Sequence, residues 1–151
     1  MTSATTTTAL PVRHRDRLMH LAHEVSFAAG TRLFEEDRCA DRFWVVRSGT
    51  VLLDSRVPGC RPAAVESLGR GELVGCSWHF PPYTWQLGAE ALSPVRAWEF
   101  DAEAVRASCA EDPAFGRAIA GWVGAAVVHR LHTSRIRLLD LYAPHGSGSL
   151  V

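Results

Sequence analysis

The spacing of hydrophobic positions changes twice along the chain. Over residues 13–24, Leu18, Leu21 and Ala22 recur at helical intervals, with Val25 just beyond, which predicts a short amphipathic helix. From Phe27 the period falls to two, in brief runs that predict strands at 31–34, 42–47, 50–54, 63–68, 73–76, 85–91 and 95–100. Turn residues separate them: Gly30, Ser48-Gly49, Pro58-Gly59, Gly69, Gly71 and Pro81-Pro82. So many short strands packed into one stretch imply a sandwich, roll or barrel.

Beyond residue 100 the period lengthens again. Asp101 is placed to cap a helix over 102–110, and Asp112-Pro113 is a second start signal, a carboxylate acceptor followed by proline at the first helical position. From Pro113 to Tyr142 the sequence can stay helical, about 45 Å at 1.5 Å per residue, longer than a small β domain is wide. One stripe runs through Ala120, Gly124, Val127, Leu131, Ser134, Leu138 and Leu141; Phe115, Ile119, Trp122, Ala126, Leu139 and Tyr142 fall outside it. Two apolar faces call for two partners, the roll and a second copy of the helix, and the small residues Ala120, Gly124 and Ser134 permit close approach. The competing arrangement is a helix lying flat with a wetted outer face.

Composition narrows the class. At 151 residues, 47% hydrophobic and 21% charged, the chain suits one domain with one core. Sixteen basic and sixteen acidic residues cancel, leaving no surplus field for phosphate backbones or anionic lipid. Every basic residue is arginine, so Schiff-base lysines and P-loop lysines are excluded. Cys39, Cys60, Cys76 and Cys109 form no C-x-x-C pair, and no apolar run reaches membrane-spanning length. A Thr-rich start lacks the pattern of a secretory signal. The expectation is a reduced, cytoplasmic protein with flexible tails at 1–12 and 143–151 around one domain at 13–142.

The ordered run Phe27-x-x-Gly30-Thr31-x-Leu33-Phe34-Glu35-Glu36-Asp37-x-x-Ala40-Asp41-x-Phe43-Trp44-Val45-Val46-x-Ser48-Gly49-x-Val51-x-Leu53, then Leu68-Gly69-x-Gly71-Glu72-Leu73-Val74-Gly75, resembles the cyclic-nucleotide-binding domain of bacterial catabolite-activator (Crp/Fnr-type) regulators. The resemblance spans residues 14–142. It implies a mainly β fold with flanking helices: an eight-stranded double-stranded β-helix, a jelly-roll-like β-roll, with an N-terminal helix, a short hinge helix and a long C-terminal dimer helix. In such regulators a DNA-reading helix-turn-helix follows. Here Pro144, Gly146 and Gly148 occupy the nine residues after Tyr142, so a stand-alone sensor without direct DNA binding is expected.

The resemblance also implies a ligand segment: Gly71, Glu72, Leu73, Val74, Gly75, Cys76, Ser77 and Trp78, then Trp85, Gln86 and Leu87, with Thr133 and Ser134 on the long helix near the purine. Family members hold the ribose with a glutamate and the cyclic phosphate with an arginine; at those positions stand Cys76 and Trp85. Each lost charge-assisted donor removes about 1.5–3 kcal/mol from phosphate binding. Residues 76–85 carry five aromatic rings counting His79, which suit a rebuilt pocket for a planar or hydrophobic ligand, a plug, or an exposed platform for a protein partner.

Three functions follow. One is a homodimeric sensor, joined through Pro113–Tyr142, that binds a small planar or cyclic-nucleotide-like ligand other than cyclic AMP, or binds cyclic AMP weakly, and signals to a partner protein. Another is a ligand-free adaptor docking through the aromatic loop. The last is a haem or redox sensor through Cys76 and His79. The pairs His20/His23 and His129/His132 lack further ligands in sequence and are read as surface histidines, so no metal site is assigned. No nucleophile, base and acid are arranged by any motif, so enzyme chemistry is not expected.

Overall fold

A computed structural model describes residues 7–142. It is mainly antiparallel β: two four-stranded sheets face one another, one ordered β1-β8-β3-β6 and the other β2-β7-β4-β5. The strands are β1 (Ala22–Phe27), β2 (Arg32–Phe34), β3 (Arg42–Ser48), β4 (Val51–Ser55), β5 (Ala63–Leu68), β6 (Leu73–Val74), β7 (Gly88–Ala91) and β8 (Val95–Asp101). Three helices flank them: α1 (Val12–Met19), α2 (Ala102–Glu111) and α3 (Pro113–Tyr142). This is the expected eight-stranded roll with its N-terminal, hinge and long C-terminal helices.

Apolar side chains from both sheets meet in the core. Val51 and Leu53 on β4, Ala89 and Ala91 on β7, and Phe43 and Val45 on β3 are all nearly or fully inaccessible. In the first sheet β8 and β3 are the two inner strands; β8 pairs with β1 from Ala22↔Phe100 to Phe27↔Val95 and with β3 from Arg42↔Asp101 to Ser48↔Arg96. Gly49, at φ +89°, turns β3 into β4 where a Cβ would lie 2.2 Å from the Pro94 carbonyl oxygen, so this turn admits only glycine without displacement.

Four sequence expectations are corrected. The helix expected over 13–24 stops at Met19, and Ala22–Phe27 becomes β1, because β8 would otherwise have an unpaired edge and Val25 and Phe27 alternate as well as they repeat helically. The strand expected at 73–76 ends at Val74, where Gly75 turns at φ +100°. The strand expected from residue 85 begins at Gly88, because Trp85 instead bonds with the 37–38 turn. Within the tail expected at 1–12, Thr7–Ala9 forms a 3-10 turn, the Thr7 N–H donates to the Gly71 carbonyl at 3.2 Å, Leu10 is buried, and Val12 already begins α1. The remainder of that tail, and residues 143–151, lie outside the described residues.

The helices close one end of the roll. Asp101 accepts from the Glu103 and Ala104 N–H groups and caps α2; Asp112 accepts from Ala114 and Phe115 and caps α3. Those backbone donors, Phe115 first, hold the Asp112 carboxyl below its ordinary pKa. Phe115, Ile119, Trp122, Val123 and Ala126 bury the first half of α3 against the roll. Its second half projects, with Leu131, Leu138, Leu139 and Leu141 exposed.

Candidate functional site

Two walls enclose a cavity of about 610 Å³, within the range of small-molecule sites. One wall is the loop from Gly75 to Leu87, and the other is the α3 face carrying Val127, Arg130, Leu131 and Ser134. Phe34 and Leu53 contribute from the roll itself.

The loop is firmly tied down. The Ala40 N–H donates to the Tyr83 carbonyl at 2.7 Å, the Trp85 N–H to Arg38 at 2.9 Å, and the Asp37 N–H back to Trp85 at 2.9 Å. Arg106 on α2 donates to the Trp78 carbonyl at 2.6 Å, and its guanidinium lies over the Tyr83 ring, 4.1 Å from the centroid. Tyr83 adopts φ +57°, a left-handed conformation that its ring and backbone contacts maintain.

The two tryptophans of the segment have different fates. Trp78 is fully buried: its ring stacks on Phe43 with centroids 4.0 Å apart, and its indole N–H donates to the Gly75 carbonyl at 3.0 Å. It belongs to the core and is absent from the cavity lining, which corrects its assignment as a ligand contact. Trp85 is 3% exposed and stacks on Phe34 at 3.8 Å, and it forms the cavity floor at the position where the resemblance implies a phosphate-binding arginine. A Cβ on Gly75 would lie 2.7 Å from the Trp85 ring, so that glycine is what lets the benzo edge of the indole approach the chain this closely.

Of the other expected contacts, Gly75, Cys76, Ser77, Gln86, Leu87 and Ser134 do line the cavity. Gly71, Glu72, Leu73 and Val74 do not: Leu73 and Val74 are core residues of β6, and the Glu72 carboxylate accepts from the Gly69 N–H at 2.7 Å. Thr133 is turned aside, its hydroxyl donating to the His129 carbonyl at 3.0 Å, the local back-bond common for helical threonine.

Sequence reasoning missed the cavity's cation. Arg130 lies one helical turn before Ser134, on the same face, and that spacing was the signal available for it. Its Nε donates to Glu66 Oε2 on β5 at 3.1 Å, and its Nη1 lies 3.3 Å from Cys76 Sγ. Side-chain exposures of 17% for Arg130 and 9% for Glu66 make this a largely desolvated pair. An anion about 4 Å from the guanidinium would gain about 4 kcal/mol at an effective dielectric of 20, and would lose about 3 kcal/mol to Glu66 if that carboxylate stood about 6 Å away. The small difference does not offset the several kcal/mol of desolvating an ion.

Cys76 and His79 do not converge. Cys76 lines the cavity, and burial raises its thiol pKa, with Arg130 opposing only in part. His79 is outside the lining; burial first and Arg106 second lower its pKa, and its Nδ1 is buried without a partner. Among the described residues no cluster of three or more His, Cys, Asp or Glu side chains is arranged to hold a metal ion. No helix of the described residues is long and apolar enough to cross a membrane.

Comparison with known proteins agrees with this architecture. The family model described as cyclic nucleotide-binding domain matches residues 24–112. The CRP-like cAMP-activated global transcriptional regulator of Mycobacterium tuberculosis is 26% identical over 117 residues, 78% of this chain and 50% of that protein, so the chain spans about half the length of the regulator. The N-terminal domain of a transcriptional regulator from Streptomyces coelicolor superposes with a TM-score of 0.66 at 26% identity, covering 86% of this chain and 90% of that one. A cyclic nucleotide-binding domain from Methylobacillus flagellatus reaches a TM-score of 0.78 at 14% identity, over 89% of this chain and 79% of that one, a likeness of fold.

Proposed function

The chain belongs to the cyclic nucleotide-binding domain family, and within it we propose a regulatory sensor whose cavity takes a small ligand other than cyclic AMP, or takes cyclic AMP only weakly. The observation that carries this reading is Trp85. A buried, stacked indole forms the floor at the position the family gives to a phosphate-gripping arginine. The cation that does reach the cavity, Arg130, already has a carboxylate partner in Glu66.

The signal leaves through helices. Ligand entering between the 75–87 loop and α3 alters contacts on both walls, and Arg106 ties that loop to α2. The exposed leucines of the outer half of α3 supply a surface for a second copy of the chain, and the assembled dimer passes the change to a partner protein. The role is regulatory, with no chemical step assigned to the cavity.

Isothermal titration with cyclic AMP and with cyclic GMP tests the reading. Dissociation constants weaker than about 100 μM are expected, about 5.5 kcal/mol of binding or less. Micromolar or tighter binding of either nucleotide would overturn it.

A further inference from the structure

We propose that the cavity between the 75–87 loop and α3 selects an uncharged, mostly apolar molecule, with Glu66 serving as a built-in counter-ion that withholds Arg130 from anionic ligands. This deepens the ligand-binding reading above and rests on it. Three features lead to it. The lining is mostly apolar, with Phe34, Leu53, Phe80, Pro81, Leu87 and Leu131 around it, which suits an apolar molecule. Apart from Arg130 and Cys76, the polar side chains of the lining, Ser77, Thr84, Gln86 and Ser134, are neutral and can satisfy a few hydroxyl, amide or carbonyl groups. The guanidinium at the cavity wall is already engaged, by Glu66 at 3.1 Å and by the Cys76 sulfur at 3.3 Å.

An arriving anion therefore has two routes, both unfavourable. It can share Arg130 with Glu66, bringing two negative charges to one guanidinium in a partly dry site, or it can evict Glu66 and leave a carboxylate that is 9% exposed without its partner. His129, 3.9 Å from the other Glu66 oxygen and half exposed, is a poor replacement. A neutral molecule meets neither obstacle and keeps the pair intact as part of the wall.

Two fluorescent probes sharing one scaffold provide the test: neutral phenylnaphthylamine and anionic anilinonaphthalenesulfonate, titrated into the full chain and into Glu66→Gln, with Ser134→Trp as a variant that fills the cavity. The neutral probe is expected to bind at least about tenfold more tightly to the unmodified chain. Glu66→Gln should improve sulfonate binding about tenfold or more while changing the neutral probe little, because Arg130 is then free. Equal affinities in the unmodified chain, or an unchanged ratio in Glu66→Gln, would overturn the proposal. Should Glu66→Gln not fold, salt dependence in the unmodified chain decides: sulfonate binding that weakens strongly between about 0.05 and 0.5 M salt reveals an available cation and overturns it, whereas salt-insensitive binding supports it. Binding of neither probe, or binding unaffected by Ser134→Trp, refutes the ligand-site reading itself, a result distinct from a reversed charge preference.

Discussion

Replacing Trp78 with alanine separates the core role of this residue from the ligand role that its sequence position suggests. The indole is fully buried, stacks on Phe43, and donates its N–H to Gly75. Phe43 in turn stacks on Phe100 at 4.7 Å and meets Trp122 edge-on at 6.3 Å, so the void would open where loop, sheet and α3 converge. Truncating a buried tryptophan costs about 3–5 kcal/mol, a large part of the roughly 5–15 kcal/mol that stabilises a typical domain. At roughly 2–4 °C per kcal/mol for a chain of this size, the midpoint should fall by about 6–20 °C. Urea and thermal unfolding followed by far-UV circular dichroism suit the measurement, since four other tryptophans would confuse fluorescence. Phe80→Ala, on the same loop but 47% exposed, is the control and should cost under about 1 kcal/mol. If Trp78→Ala proves as mild as Phe80→Ala, the placement of Trp78 in the core is wrong and the ring faces the cavity after all.

Two further outcomes are expected. Gly75→Ala should destabilise by about 1–3 kcal/mol through overpacking against Trp85, on top of about 1–2 kcal/mol for its left-handed backbone, as read by urea unfolding; a variant as stable as the parent would contradict the close approach of that ring. His79 is held with a lowered pKa by burial, so below the ordinary histidine value of about 6.5 the unfolded chain binds the proton more readily than the folded one. Stability should therefore fall as pH drops from about 6.5 toward the lowered folded value, and His79→Leu should flatten that part of the stability–pH curve; an unchanged slope would show that His79 does not contribute.

The roll was legible because alternation and turn chemistry agree along the chain: each glycine or proline punctuation falls between runs whose hydrophobic residues share a face. What escaped was decided by tertiary pairing. Residues 22–27 carry helical and strand spacing at once, and only the open edge of β8 selects the strand. At the cavity, position along the loop identified Trp85 and Cys76 but could not tell Trp78 from Trp85, because a 3-10 turn at Ser77–His79 rotates Trp78 inward onto Phe43. Arg130 was hidden for another reason. Its role depends on Glu66, which is 64 residues away, and no local pattern links β5 to the middle of α3.

That distant pairing gives α3 more than a wall of the cavity. Arg130 holds the helix to β5 through Glu66, and Arg137 donates to the Val65 carbonyl two turns further on, so the projecting half of α3 is fastened to the second sheet by arginines instead of by apolar packing. The opposite wall is fastened to α2 by Arg106. The exposed Arg137 fastener breaks and remakes at less cost than a packed core, because water can replace its lost partner, whereas the largely desolvated Arg130–Glu66 pair, like Trp122, has no such substitute. A molecule that enters between the loop and Leu131 can therefore shift the end of α3 beyond Arg130 while leaving the Arg130–Glu66 pair and Phe115 to Ala126 seated, and the shift reaches the exposed Leu138, Leu139 and Leu141 on which a second copy would dock. Withholding Arg130 from the ligand and fastening α3 are then one interaction, so a substitution at Glu66 should alter charge preference and helix position together.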